Sequence, residues 1–290
     1  MESKPLRYFV KVAEFGNVTK AAAALNIAQP ALSIAIKKLE TELEIALFHR
    51  DERRLTLTDE GKVLLPFAKN IIQQLNDAKV AMDELKGLEK GEVRLGLPSM
   101  MGSYYFPEIL MGFKASYPNL KLTMVEAGTQ SIREMLLGGE LDIGVILNED
   151  VPCSLEVDPI FRSQMVAVVG EHHPLASERS ISYETFFKQE LVMFKKGYFH
   201  RDFIDNVCVT HGHEATFSFE TNLLTMILKI VRQEFAVTAL LELVTENEPG
   251  LKAIPFDTPV HLDLAIAWRK GGYLSLANRT FIDYVKRQHK

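Results

Sequence analysis

Cysteine is scarce: Cys153 and Cys208 are the only two in 290 residues and stand more than fifty positions apart, which excludes the disulfide framework that staples small secreted domains. Long apolar runs are missing as well. No stretch approaches the roughly eighteen consecutive apolar residues of a membrane span, and the opening MESKPLRYF has no apolar core after a basic flank. Neither a span nor a signal peptide is therefore expected, and the expected compartment is the cytoplasm. The strings GxGxxG and GxxxxGK(S/T) do not occur, so dinucleotide and P-loop sites lack their signatures and no cofactor is expected. No nucleophile stands paired with a base, which argues against an enzyme. Cys208, His211 and His213 form one local cluster without a second half at metal-ligand spacing, so the segment reads as a loop and no metal site is expected. An excess of positive charge is missing too: the chain carries a net −5, and residues 1–60 hold nine Lys/Arg against nine Asp/Glu. Charge alone would not point to nucleic acid.

Placement does. The run NVTKAAAALNIAQPALSIAIKKLETEL from Asn17 to Leu43 predicts two short helices around a tight turn. Asn17 suits an N-cap and the alanine-rich run from Thr19 to Leu25 is strongly helix-forming, while Asn26 and Ile27 make the turn. Pro30 fits the first turn of the next helix, where its missing N–H costs nothing. Leu32, Ile36, Leu39 and Leu43 follow at spacings of four, three and four, a buried stripe. Gln29, Ser33 and Lys37 lie off that stripe, where a recognition helix offers amide, hydroxyl and ammonium groups to bases and phosphates. Residues 47–58 predict a β-hairpin with Arg50, Arg53 and Arg54 near its tip, a wing suited to the minor groove or the sugar-phosphate backbone. Thr58 caps a long helix whose Asp59 and Glu60 favour its N-terminal dipole.

Along that helix Leu64, Ala68, Ile71, Leu75, Ala78, Met82 and Leu85 recur at spacings of four and three, a heptad seam that wants a partner helix. The alternative is a long amphipathic helix packed on its own domain. Pro66 leaves the Lys62 carbonyl without its helical partner and is expected to bend the helix near its start, and Gly87 to Gly91 reads as a hinge.

With Ala21-Ala22, Leu25, Gln29-Pro30-Ala31-Leu32-Ser33, Ile36, Leu39-Glu40, Leu47-Phe48, Arg50, Arg53, Leu57-Thr58 and Gly61 at these spacings, the first ninety or so residues resemble the winged helix-turn-helix and linker helix of LysR-type transcriptional regulators. The likeness extends more loosely to the C-terminus. It implies a mixed fold: an N-terminal all-α winged helix-turn-helix (1–58), a linker and dimerisation helix (59–90), and an α/β effector-binding domain (91–290) resembling periplasmic binding proteins. The latter would hold two Rossmann-like subdomains, 91–162 with 266–290, and 163–265. By resemblance the partners are double-stranded DNA, contacted from Thr19, Gln29, Pro30, Ser33, Lys37, Arg50, Arg53 and Arg54, a small-molecule effector, and further copies of the chain in a homodimer or homotetramer.

Departures from the family pattern are local. Ala28 stands where the family usually has a capping serine, so about 1 kcal/mol of helix stability is absent. Ile34 and Ala35 replace an Arg-Gln pair, and Glu44 and Glu60 replace a common Gly and Ala. Base readout by Gln29 and Ser33 carries over; contacts from positions 34 and 35 do not. Glu234, Ala236 and Leu241 stand where family members usually carry two glycines and a proline.

From Glu92 onward strand and helix patterns alternate. Strands are expected at residues 93–97, 120–126, 141–146, 164–170, 191–194, 216–220 and 236–240, with helices at 103–117, 129–138, 222–232 and 274–287. Crossovers between subdomains are placed near Phe161–Ser163 and Asp263–Trp268. The strand at 93–97 ends in Pro98-Ser99-Met100-Met101-Gly102-Ser103, where hydroxyls and free N–H groups meet at a helix start, a natural receptor for a carboxylate. Thr129-Gln130-Ser131 repeats the arrangement. The resemblance places the effector against such positions, giving Ser99, Met100, Met101, Thr129, Asn148 and the loop Lys196, Gly197, Tyr198, Phe199 as the candidate site. For each hydroxyl the alternative is simple helix capping, and for the methionines core packing. A redox-responsive regulator of the same architecture is the alternative function; the peroxide-sensing branch of the family has closely spaced cysteines, which this chain lacks.

Overall fold

Helix α1 (Ser3–Phe15) stops where Gly16 takes a left-handed φ of 56° and returns its N–H to Val12 O. Asn17 then caps α2 (Val18–Ala24), its side chain accepting from Lys20 N at 3.0 Å. The turn that follows carries a positive φ of 53° at Asn26, a residue that tolerates it, and Ile27 N–H closes on Ala22 O at 3.1 Å. Helix α3 (Gln29–Leu43) buries Leu32, Ile36 and Leu39 against Leu6, Phe9, Val12 and Ala21, with Leu43 half-buried. These residues belong to a computed structural model that describes residues 2–51, 54–85 and 91–288. The chain divides into two compact units, residues 1–88 and 89–290.

The first unit closes with a hairpin, β1 (Phe48–Asp51) against β2 (Arg54–Leu57), and with α4 (Asp59–Leu85). Thr58 caps α4 by accepting from Gly61 N at 3.0 Å while its hydroxyl donates to Ala46 O. Gly61 is required there, because a Cβ would sit 2.2 Å from Leu47 O. The helix runs on through Pro66. Its heptad seam divides in two: Leu64, Ala68 and Ile71 pack into the core of their own unit, whereas Leu75, Ala78 and Met82 are exposed, together with Val63 and Phe67. Among the described seam residues, Leu75, Ala78 and Met82 are therefore the ones their own unit leaves uncovered. The side chain of Leu85 and the expected hinge residues 87–90 lie outside the described residues.

In the second unit three parallel strands, β3 (Glu92–Leu97), β4 (Lys121–Glu126) and β5 (Ile143–Leu147), are joined by α5 (Phe106–Ser116) and α6 (Thr129–Leu137). A π-helical turn, Met101–Tyr105, leads into α5. Two long antiparallel strands, β6 (Leu155–Gly170) and β10 (Leu251–Arg269), carry the sheet onward in the order β4-β3-β5-β10-β6-β9. Their pairing breaks register between Leu264 and Ala265, opposite Phe161 and Pro159, and again between Pro255 and Val260. Beyond them β9 (Thr238–Leu241) lies beside β7 (Leu191–Met193) through a bridge from Val237 to Leu191, and β7 pairs with β8 (Phe217–Glu220). Helices α7 (Tyr183–Phe187), α8 (Phe199–His211), α9 (Leu224–Arg232) and α10 (Leu243–Asn247) accompany this end, and α11 (Leu276–Arg287) returns to α5 through an edge-on Phe113–Phe281 contact at 5.0 Å.

Two expectations are corrected. The segment around Cys208 and His211, read as a loop, is helix α8, which buries Phe199, Ile204 and Val207. Residues 155–163 and 251–263 are the outer halves of long strands. Pro159 and Pro255 both sit where the ladder shifts register and a missing donor is tolerated.

Candidate DNA-binding surface and effector cleft

The N-terminal face is built on α3. Thr19, Gln29, Pro30 and Lys37 are exposed and Ser33 is half-buried. Gln29 Nε2 donates to Ser33 Oγ at 2.9 Å, so one amide proton is engaged on the exposed side of the helix. Ile34, one residue round the helix, is 68% exposed. Arg53 and the side chains of Arg50 and Arg54 lie outside the described residues. What orients the wing is visible nonetheless: Glu40, on α3, accepts from the backbone of Leu47 and Phe48 at the start of β1.

In the second unit the chain turns helical at residue 99, directly after β3 and Pro98. Ser99 and Thr129 are buried at the starts of their helices, and Met100 and Met101 are fully buried. The loop before α8 comes up against them. Gly128, preceding Thr129, packs on Gly197 so tightly that a Cβ would lie 2.0 Å from Gly197 O. His200 Nε2 meets Met100 Sδ at 3.1 Å. Two contacts thus tie these helix starts to the loop before α8, Gly128 on Gly197 and Met100 on His200, a residue that sequence reasoning missed. His200 is enclosed by Phe194 and Phe199, with ring centroids at 4.9 and 3.6 Å, and burial pulls its pKa down to about 3, so it is neutral at physiological pH. Its Nδ1 is buried with no hydrogen-bond partner among the described residues. Burial, with a smaller effect from the Glu126 carboxylate, raises the Tyr198 hydroxyl above its ordinary value.

Other expected residues sit apart from this cluster. Lys196 is exposed, and Asn148, half-buried past the end of β5, donates its N–H to Asp263 O at 2.8 Å. Two further contacts escaped the sequence because their partners are distant. Tyr104 donates to Glu248 Oε1 at 2.8 Å while Glu248 pairs with Arg232 at 2.7 Å; burial and that carboxylate push the Tyr104 hydroxyl strongly upward. Arg201, buried on α8, pairs with Asp205 and Glu220 and stacks over Phe217 at 4.1 Å, pinning α8 to β8. Among the described residues no group of three His, Cys, Asp or Glu could hold a metal; His211 and His213 pack beside Tyr183 and Phe187 instead. No helix among the described residues is long and apolar enough to cross a membrane.

A helix-turn-helix followed by an α/β unit is the architecture of a DNA-binding transcriptional regulator with a C-terminal effector-type domain. Residues 4–62 match the family model for bacterial regulatory helix-turn-helix proteins of the lysR family, and residues 86–290 match that for the LysR substrate binding domain. The chain belongs to the LysR family of transcriptional regulators. It is 33% identical to the HTH-type transcriptional regulator YwbI of Bacillus subtilis, over 99% of this chain and 96% of that one. It is 31% identical to the hydrogen peroxide-inducible genes activator of Haemophilus influenzae, over 94% and 92%. A full-length OxyR variant from Pseudomonas aeruginosa superposes with a TM-score of 0.73 at 25% identity, covering 99% of this chain and 95% of that one.

Proposed function

We propose that this regulator grips operator DNA through Thr19, Gln29, Pro30, Ser33 and Lys37 of the helix-turn-helix and through the wing arginines Arg50, Arg53 and Arg54. It does so as a homodimer or homotetramer assembled through the exposed stretch of α4 from Leu75 to Met82. Within residues 91–290, 91–162 with 266–290 and 163–265 act as two subdomains that close on a small anionic effector, a carboxylate. The effector site comprises Ser99, Met100, Met101, Thr129, Asn148 and residues 196–199.

The observation that supports this reading is that the residues beside two buried helix starts reach the segment leading into α8: Gly128, preceding Thr129, packs on Gly197, and Met100, following Ser99, meets His200 at 3.1 Å. Free N–H groups at helix starts favour an anion, and the neutral His200 adds a group able to share a hydrogen bond without adding charge. An effector that binds better when the cleft is shut shifts the population of that arrangement and, through α4, the spacing of two recognition helices on DNA. Calorimetry of the full-length chain against a panel of small mono- and dicarboxylates tests it. Binding of at least one, weakened tenfold or more by Thr129→Ala or Ser99→Ala, supports the site; a panel that contains no binder, or binding indifferent to both substitutions, removes it.

Likeness to the peroxide-inducible activator favours a second reading, in which the chain responds to oxidant instead of a carboxylate. Cys208 weighs against it, since burial and the nearby Asp205 carboxylate hold its thiol above the ordinary value and keep it protonated.

A further inference from the structure

Ile34 is an anomaly on the DNA-facing side of α3. Gln29, Ser33 and Lys37 follow one another at spacings of four along that side, and Ile34 projects about 100° round from Ser33, next to Lys37. At 68% exposure it contributes little to the core of its own unit. It is the most exposed apolar wall of a groove of about 320 Å³ that Val12, Val18, Phe48 and Leu55 also line. A large apolar side chain held in water among an amide, a hydroxyl and an ammonium group calls for an apolar partner on whatever those polar groups meet.

In the major groove base pairs present one apolar feature, the C5-methyl of thymine. We propose that Ile34 reads a thymine methyl beside the base pair that Gln29 contacts, so that each half-site contains an A·T step selected from both sides. The proposal rests on the reading of α3 as the element that enters the groove. The Gln29 amide, steadied by Ser33, has the acceptor and remaining donor that match adenine N6 and N7. Ile34 supplies the complementary apolar contact, and its β-branched side chain is already confined to one main rotamer in a helix, so little freedom is lost on docking. A basic or amide group at this position would reach for phosphate or guanine instead; the isoleucine converts a positioning contact into a test for thymine.

Duplexes selected by the full-length chain from a randomised pool provide the probe, with each thymine replaced in turn by deoxyuridine. That replacement deletes the methyl and leaves pairing unchanged. At one thymine per half-site, deoxyuridine should weaken binding roughly three- to tenfold, as expected for one buried methyl group. The same replacement should have no effect on the Ile34→Ala chain and an intermediate effect on Ile34→Val. Equal affinity for thymine and deoxyuridine duplexes at every position, within twofold, overturns the proposal while leaving DNA binding by α3 intact. So does an Ile34→Ala chain whose affinity falls by the same factor on both duplexes, or one whose oligomeric state changes instead. Failure to select any duplex overturns the underlying reading of α3, and this proposal with it.

Discussion

Glu40 Oε1 accepts the backbone N–H of Leu47 at 2.8 Å, and the same oxygen takes the N–H of Phe48 at 3.3 Å. One carboxylate on the recognition helix therefore satisfies the first two donors of the wing and sets the wing's start against that helix. Both donor residues are buried. Glu40→Ala should destabilise the first unit by about 1–3 kcal/mol, the cost of leaving buried N–H groups unpaired, and should weaken DNA binding as the wing loses its anchor. Glu40→Gln keeps an acceptor oxygen and should lose less. Urea unfolding of the full-length variants measures the first effect and binding to a selected duplex the second; an alanine variant as stable as the parent would show that the anchor is dispensable.

The two helices of the helix-turn-helix begin differently. Asn17 caps α2 with its side chain, but Ala28, at the corresponding place before α3, has an extended backbone (φ −69°, ψ 134°) and no side-chain bond to offer. That backbone is already the one an N-cap uses, so Ala28→Ser should add about 1 kcal/mol of stability and Asn17→Ala should remove about as much. The midpoints of chemical unfolding should move in opposite directions. If Ala28→Ser lowers the midpoint, the new hydroxyl has met a neighbour other than the helix N–H groups.

These differences trace what could be read from the sequence. The helix-turn-helix was legible because its signals are local: the Asn17 cap, Pro30 in a first turn, and Leu32, Ile36 and Leu39 at helical spacing all lie within one short stretch. Strands β3 to β5 were legible as short apolar runs between helices. Helix α8 was not, because its buried side includes His200 and Arg201, polar residues whose burial is compensated by Met100 and Glu220, far away in the chain. The outer halves of the β6–β10 ribbon were not legible either, because the two strands pair across a long stretch of intervening chain that no local pattern records. In the candidate effector site, the helix starts at Ser99 and Thr129 could be named from hydroxyls after strands, whereas the contacts of Gly128 and His200 exist only once Gly197 and Met100 are brought to them.

His200 should make the second unit acid-sensitive. Its folded pKa, pulled down to about 3 by burial, lies below the value of about 6.5 that it regains on unfolding. Between those values the unfolded chain binds the proton and the folded chain does not, so the contribution is fully present above about pH 6.5. It is lost as pH falls towards 3, by up to about 1.4 kcal/mol per pH unit. His200→Leu removes this dependence. The difference in unfolding free energy between parent and variant, followed from pH 7.5 to pH 5, should therefore shift in favour of the variant on acidification. A difference that stays constant with pH would mean that the folded imidazole titrates as it does in water.

Thiol chemistry separates the two readings of the effector. Cys153 is exposed, whereas Cys208 is partly covered and its thiol is pushed up, first by burial and then by the Asp205 carboxylate. Because the thiolate is the reactive form, Cys208 should be the slower of the two towards an alkylating reagent at neutral pH. The cysteines are also too far apart in sequence to form a local pair. Hydrogen peroxide should leave the affinity for a selected duplex unchanged, with the parent indistinguishable from a chain carrying Cys153→Ser and Cys208→Ser. A peroxide-dependent shift present in the parent and absent from the double variant would instead show that this chain responds to oxidant through its cysteines and would overturn the carboxylate reading.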